Sequence, residues 1–276
     1  MGQGSLDGRA VAVTGGARGI GAAIAAACAR AGAKVAVGDI DVQAAAETAS
    51  RLGREATGLA LDVTDRESFR DFLDAAEAAL GPLDVLVNNA GVMWVGPFLD
   101  EAEDVALRQF DVNLHGVLRG TKLAAERMQQ RGRGHIVNVA SAASKVTPRG
   151  EATYTATKHA VYGYSAAVRY ELEGSGVDVS VVMPAVVRTE LAAGTGSGKA
   201  SKPLEPEDVA DAVVAVLGKP RFEVFVPRSI NGLTRLYALL PQRARDAMAR
   251  ALVPDQVAET DEAARAEYEA RRFGGR

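Results

Sequence analysis

The chain lacks most of the features that would mark it as secreted, membrane-bound or nucleic-acid-binding. Its one cysteine, Cys28, leaves no intramolecular disulfide to form, and a lone thiol fits a reducing compartment. It has no excess of positive charge. The 32 Lys and Arg against 35 Asp and Glu give a net charge of −3, which excludes the basic face that a nucleic-acid binder uses to neutralise phosphates. No apolar run approaches the ~18 residues of a membrane-spanning helix. The longest, residues 179–187, is strand-sized and contains Pro184. His115, His135 and His159 are scattered and show no metal-ligand spacing with the acids or the cysteine, so no metal is expected. The start, Met1-Gly2-Gln3-Gly4-Ser5-Leu6, has no basic and then apolar region, so no secretory leader is expected. Leu6 stands where N-myristoylation asks for Ser or Thr. A cytoplasmic location follows as the expectation. Aromatics are scarce at 5%, so any that falls within a motif stands out.

The chain has length and glycine in supply. Its 276 residues, 47% of them hydrophobic, can bury a sizeable core without a metal or disulfide. Short apolar runs at residues 10–14, 34–38, 57–61, 85–87, 135–139, 177–183 and 222–226 read as strands. Helix-length, Ala-rich stretches lie between them: 19–31, 42–52, 66–80, 102–130 and 152–173. Gly32 and Gly53 read as helix stops. Strands apolar on both faces, separated by helices, predict a parallel sheet covered on both sides. That is a doubly wound α/β fold. Residues 192–206, rich in Gly, Ser, Lys and Pro and without periodicity, read as a mobile loop of the kind that forms lids.

The glycines concentrate at one informative place. Thr14-Gly15-Gly16-Ala17-Arg18-Gly19-Ile20-Gly21 joins the first strand to the first helix. Glycine there permits a tight turn and lets backbone N–H groups approach a pyrophosphate at the helix N-terminus. Asp39 ends the second strand, 18 residues after Gly21, where a carboxylate can hold adenosine ribose hydroxyls. It could also cap the following helix. Further along, Tyr154 and Lys158 lie four apart in a helix-compatible stretch and so share a face. An ammonium beside a phenol favours the phenolate, bringing an acid–base group with a pKa near ~10 toward use at neutral pH.

Four features now occur in one order and spacing: the TGGARGIG loop, Asn88-Asn89-Ala90-Gly91, Ser141 thirteen residues before Tyr154, and the YTATK stretch. Together they resemble the short-chain dehydrogenase/reductase family over residues 6 to about 227. The resemblance implies a Rossmann fold with seven parallel strands in the order 3-2-1-4-5-6-7, helices on both faces and a C-terminal helical extension. Residues 1–227 would be one dinucleotide-binding and catalytic domain, and 228–276 the extension. Tyr154 would be the general acid/base, Lys158 its partner and the holder of the nicotinamide ribose, and Ser141 the hydroxyl that orients the substrate oxygen. Ser144 lies nearby but at a poorer spacing. Asn113 matches the asparagine of the proton relay, its alternative being a helix-interior asparagine bonding locally.

The implied cofactor contacts are Gly15, Arg18, Gly19, Ile20, Gly21 and Asp39, then Asp62 and Val63 at the adenine, and Asn89 and Gly91 at its ribose. Tyr154, Lys158, Val187 and Thr189 would hold the nicotinamide end. Within the stretch that begins at Pro184, Ala185 replaces the family's glycine, which could trim the pocket. Asp39 repels a 2′-phosphate and favours NAD; Arg18 is the one signal toward NADP, and it could instead pair with Asp39 or lie along the adenosine.

The implied function is an oxidoreductase moving a hydride between an apolar secondary alcohol or its ketone and NAD. The alternatives are an NADPH-dependent ketone reductase and a non-catalytic dinucleotide-binding sensor or scaffold. A homodimer or homotetramer is expected through the two long helices. Val92-Met93-Trp94 suggests a substrate wall, or ordinary packing. Residues 233–252 carry Leu236, Leu239 and Leu240 on one helical face, continued by Met248 and Leu252 and interrupted by Pro241. This arm could cap the pocket, dock on a subunit or lie on a membrane. The densely charged residues 258–272 read as a solvated helix or a partner-binding arm.

Overall fold

The computed structural model describes residues 6–196 and 202–274. Among them seven strands form one parallel sheet: β1 Ala10–Thr14, β2 Lys34–Asp39, β3 Ala56–Ala60, β4 Val85–Asn88, β5 Gly134–Val139, β6 Val177–Pro184 and β7 Glu223–Val226. Their order is 3-2-1-4-5-6-7, as the sequence resemblance implied. The crossover helices are α1 Gly19–Arg30, α2 Val42–Leu52, α3 Arg66–Leu80, α4 Glu103–Phe110, α5 Gly116–Arg131, α6 Ala152–Glu171 and α7 Pro206–Gly218. After β7 come α8 Ser229–Leu239, α9 Gln242–Leu252, α10 Gln256–Glu259 and α11 Glu262–Phe273.

Alternation along each strand divides the core. Val11 and Val13 of β1, Val35 and Val37 of β2, and Val85 and Val87 of β4 pack with Ile24 and Cys28 of α1 and Val209 and Val213 of α7. The intervening Ala10, Ala12, Ala36 and Leu86 face the opposite way, against Phe69, Phe72 and Leu73 of α3. Small residues on this second face admit large rings: a Cβ on Gly38 would lie 2.6 Å from the Phe72 ring. The chain runs from β1 toward β2 and β3, then returns to place β4 on the other side of β1. The loops after β1 and β4 therefore diverge and leave a crevice at the carboxyl ends of the strands.

Three expectations are corrected. The stretch 102–130 is not one regular helix: Asp111–His115 forms a π turn between α4 and α5. Asn113 sits in that turn and bonds the chain after β4, and such a bulge re-aims a side chain at the cost of helical register. In the arm, Pro241 does separate α8 from α9, but Leu236 and Leu239 are 53% and 84% exposed. The inward residues of α8 are Ile230, Leu233, Thr234 and Tyr237. The charged stretch 258–272 is not simply solvated. Arg265 and Tyr268 are both 2% exposed, three residues apart on the inner face of α11. Arg265 pairs with Glu269 one turn on, at 2.9 Å, and its remaining N–H groups go to carbonyls distant in the chain, which no local pattern signals. Of the lid reading for 192–206, residues 197–201 lie outside the described residues. Among the described residues no helix is long and apolar enough to cross a membrane.

Candidate active site

The crevice holds a cavity of about 530 Å³, and every sequence-predicted site residue except Asn113 lines it. Its floor at one end is the turn after β1. Gly15 and Gly19 have φ of +61° and +54°, the left-handed region that glycine adopts without strain. A Cβ on Gly15 would lie 2.8 Å from Ala90 Cα, and one on Gly21 would lie 2.6 Å from Asn89 Nδ2. Arg18, at the N-cap of α1, offers no side-chain acceptor, so the first N–H groups of that helix are left to an anion. The backbone thus forms a cradle shaped for a phosphate group.

The neighbours of this turn sort into supports and contacts. The Asn89 side chain donates to the carbonyls of Thr14 and Gly15, at 3.0 and 3.1 Å, and its N–H donates to Thr14 Oγ1. Its amide is therefore spent on holding β4 to the glycine turn. Asp39 accepts from the N–H groups of Ala17 and Asp41, both at 3.1 Å, so it shapes the turn as well as lining the cavity. Arg18 pairs with Asp41 at 2.6 Å, and Asp41 also caps α2 by accepting from the Ala44 N–H. The pairing of Arg18 with Asp39 that the sequence allowed is not the one formed. Asp62 accepts from both the N–H and the hydroxyl of Thr64. Thr189 faces the turn, its methyl 3.4 Å from where a Gly19 Cβ would sit.

Deeper in the crevice α6 presents Tyr154 and Lys158. Lys158 Nζ lies 5.5 Å from the Tyr154 ring centroid and donates to the Val139 carbonyl at 3.2 Å. The Ser141 side chain lies near enough to Tyr154 to lower the phenol's pKa, and its Oγ accepts from the Ala143 N–H at 3.1 Å. Ser144, the rival serine, is buried and donates to the Lys158 carbonyl, a structural bond. Asn113 lies just behind the cavity: it accepts from the Val92 N–H and donates to the Val92 carbonyl, both at 2.8 Å, and to Thr157 Oγ1. A Cβ on Gly91 would sit 3.4 Å from Asn113 Oδ1 and 3.7 Å from Lys158 Nζ, so both groups face this glycine.

Electrostatics in this dry region differ from the simple phenol–ammonium expectation. Burial pushes Tyr154 above its ordinary value, and nearby Glu151 adds to the rise while the Ser141 side chain opposes it. Burial lowers Lys158 to about 8. Low dielectric disfavours both charged forms, and it is the largest cause of both shifts. Glu151, 6% exposed, is raised by the same cause to about 7, against the Gln256 hydrogen bond and the Arg265 charge.

Several lining residues escaped the sequence reading. Glu151 stands three before Tyr154 on the same helix, a spacing that could have flagged it. Gln256, Tyr268, Arg271 and Arg272 come from the last two helices and had no local signal. The apolar wall is made by Ile230, Leu233, Tyr237, Met248 and Leu252. Trp94 is not part of it: its N–H donates to Gln109 and its ring crowds Gly96. Val92 and Met93 line the cavity in its place. Among the described residues no cluster of His, Cys, Asp or Glu could hold a metal.

Comparison with known proteins agrees with this architecture. A family model described as short chain dehydrogenase matches residues 9–200. The chain belongs to the short chain dehydrogenase family, a class of oxidoreductases. D-threitol dehydrogenase of Mycolicibacterium smegmatis is 40% identical over 193 residues, covering 67% of this chain and 73% of that one. A 1-deoxy-11-beta-hydroxypentalenate dehydrogenase of Streptomyces exfoliatus is 39% identical over 231 residues, 80% of this chain and 83% of that one. The "Probable oxidoreductase EphD" of Mycobacterium tuberculosis is 34% identical over 258 residues; the match takes in 85% of this chain but 44% of that protein, so the chain spans less than half of this relative. A short chain dehydrogenase/reductase from Burkholderia phymatum, solved in complex with NAD, superposes with a TM-score of 0.78 at 27% identity, covering 93% of this chain and 98% of that one.

Proposed function

We propose that the protein is an NAD-dependent dehydrogenase that interconverts an apolar secondary alcohol and its ketone. The observation that carries this reading is one continuous cavity with a glycine cradle and Asp39 at one end and the Ser141–Tyr154–Lys158 cluster at the other. The residues fit a dinucleotide: Cβ atoms on Gly15 and Gly21 would strike Ala90 and Asn89, so glycine keeps the turn tight and its N–H groups open to a pyrophosphate, and Asp39 at the end of β2 lines the same cavity for a ribose diol. Gly15, Gly19, Ile20 and Gly21 would hold the pyrophosphate, Asp39 the adenosine ribose, and Asp62 and Val63 the adenine. Gly91, Lys158, Val187 and Thr189 would hold the nicotinamide half. When bound, that half supplies a hydride acceptor.

The chain's own groups then handle the proton. Ser141 orients the substrate oxygen. Tyr154 Oη, once it has given up its own proton, receives the alcohol proton in oxidation, and as the phenol it donates that proton in reduction. Lys158, held by the Val139 carbonyl, would hold the nicotinamide ribose, and Asn113 fixes the strand-four loop against α6 beside it. Apolar Ile230, Leu233 and Met248 exclude water and favour an apolar substrate.

NAD is favoured over NADP because the two carboxylates Asp39 and Asp41 stand at the ribose end and Arg18 is already paired with Asp41. An NADPH-dependent ketone reductase is the second reading, resting on Arg18 alone. Residues 1–227 are proposed as one dinucleotide-binding and catalytic domain extended by 228–276, and the location as cytoplasmic. A homodimer or homotetramer is proposed through α4, α5 and α6, supported by the exposed Leu107 and Tyr170 on these helices. The test is Tyr154→Phe: NAD binding should persist while turnover is lost, and retained turnover would refute the mechanism. Asp39→Ala should narrow the preference for NAD over NADP.

A further inference from the structure

The last helix spans the cavity along its length. At its start the Asp261 N–H donates to the Gly194 carbonyl at 2.8 Å. Arg265 donates to the carbonyls of Leu191 and Met93, and the Met93 N–H donates to Tyr268 Oη at 3.3 Å. Arg271 and Arg272, in its final turn, each come within 3.6 Å of Glu190. Phe273 packs on the core cluster that holds Leu61, Val63 and Val92, next to the loop after β3. The helix thus crosses from the substrate end to the dinucleotide end.

Its final turn meets the glycine cradle. Arg271 and Arg272 line the same cavity as Arg18 and Gly19. Glu190 follows Thr189, which faces Gly19, and its charge is felt by Arg18; the charge of Arg272 is felt by Asp41. Two guanidiniums therefore share the Glu190 carboxylate beside a cradle shaped for phosphate, Arg271 also pairing with Glu267 on its own helix at 3.6 Å. Guanidinium groups bind phosphate oxygens through paired, charge-assisted hydrogen bonds. We propose that Arg271 and Arg272 bind the pyrophosphate of the dinucleotide, closing α11 over it from the face opposite the glycine turn. Glu190 holds them in place and yields them to the incoming phosphates. This assignment rests on the reading of the cavity as a dinucleotide site.

The experiment is a binding titration, by calorimetry and NADH fluorescence, with NAD, NADP, ADP and adenosine. The Arg271→Gln/Arg272→Gln variant should weaken NAD and ADP by about tenfold or more and leave adenosine, which lacks phosphate, unchanged. The dependence of NAD affinity on salt should become shallower. The Lys/Lys variant should recover part of the loss, and Arg243→Gln, on exposed α9, should change nothing. Glu190→Gln separates contact from mere anchoring. If the arginines contact phosphate, freeing them keeps or tightens NAD binding; if they only anchor the helix, the variant weakens binding as their own removal does. The inference is overturned if adenosine weakens along with ADP, if the loss is confined to NADP and its 2′-phosphate, or if Glu190→Gln mimics the arginine variant. Failure of the wild-type protein to bind NAD and ADP at all would instead refute the dinucleotide reading, and this inference with it.

Discussion

Glu151 makes a stability prediction whose sign depends on pH. It sits at the N-cap of α6, 6% exposed, facing Tyr154 on its own helix, Gln256 of α10 and Arg265 of α11. Burial lifts its carboxyl from 4.5 to about 7, the Arg265 charge opposing without cancelling the rise. Below about pH 4.5 both folded and unfolded chains keep the proton, and no penalty arises. Between there and pH 7 the unfolded chain ionises first, so stability falls as pH rises. Above 7 the full penalty is present, about 3 kcal/mol for that interval. Glu151→Gln keeps the shape and cannot ionise. It should melt with the wild type near pH 4.5 and about 6–12 °C above it at pH 8, at roughly 2–4 °C per kcal/mol for a chain of this size. Thermal unfolding followed by circular dichroism at the two pH values measures this. An equal gap at both, or none at pH 8, would refute the burial argument.

Three further outcomes are expected. Gly21→Ala forces a methyl against Asn89 Nδ2 and should cost about 1–3 kcal/mol by overpacking, seen as a lower melting temperature, together with weaker NAD binding because the cradle shifts. Arg265→Leu strips the Glu269 carboxylate of its ion-pair partner and leaves the Met93 and Leu191 carbonyls unpaired, and should cost about 3–5 kcal/mol, with faster proteolysis around 190–196 as the second readout. Cys28, whose thiol burial pushes up to about 12, should resist maleimide at pH 8 in the folded protein and react fully in denaturant.

Much of this was legible in the chain because the signals are local. Apolar runs of three to seven residues mark strands buried on both faces, and glycine stops close several of the helices between them. The glycine turn, Asp39 at a strand end, and Tyr154 four residues before Lys158 are each defined by neighbours within a few positions. Register and order then bring these short motifs to one edge of the sheet, where all but Asn113 line the same cavity.

What the sequence by itself determined, then, is the doubly wound sheet and the chemistry-bearing side chains at its carboxyl edge. Only the tertiary structure decided what surrounds them. Arg18 goes to Asp41 because the turn's geometry brings that carboxylate to 2.6 Å while Asp39 is occupied by backbone N–H groups. Asn89 is spent on the glycine turn, 74 and 75 positions away. The charged tail folds inward because Arg265 finds carbonyls 74 and 172 residues back in the chain. No local periodicity encodes such pairings. They form only after the sheet has placed distant backbone groups within reach, and it is they that close the cavity over Tyr154.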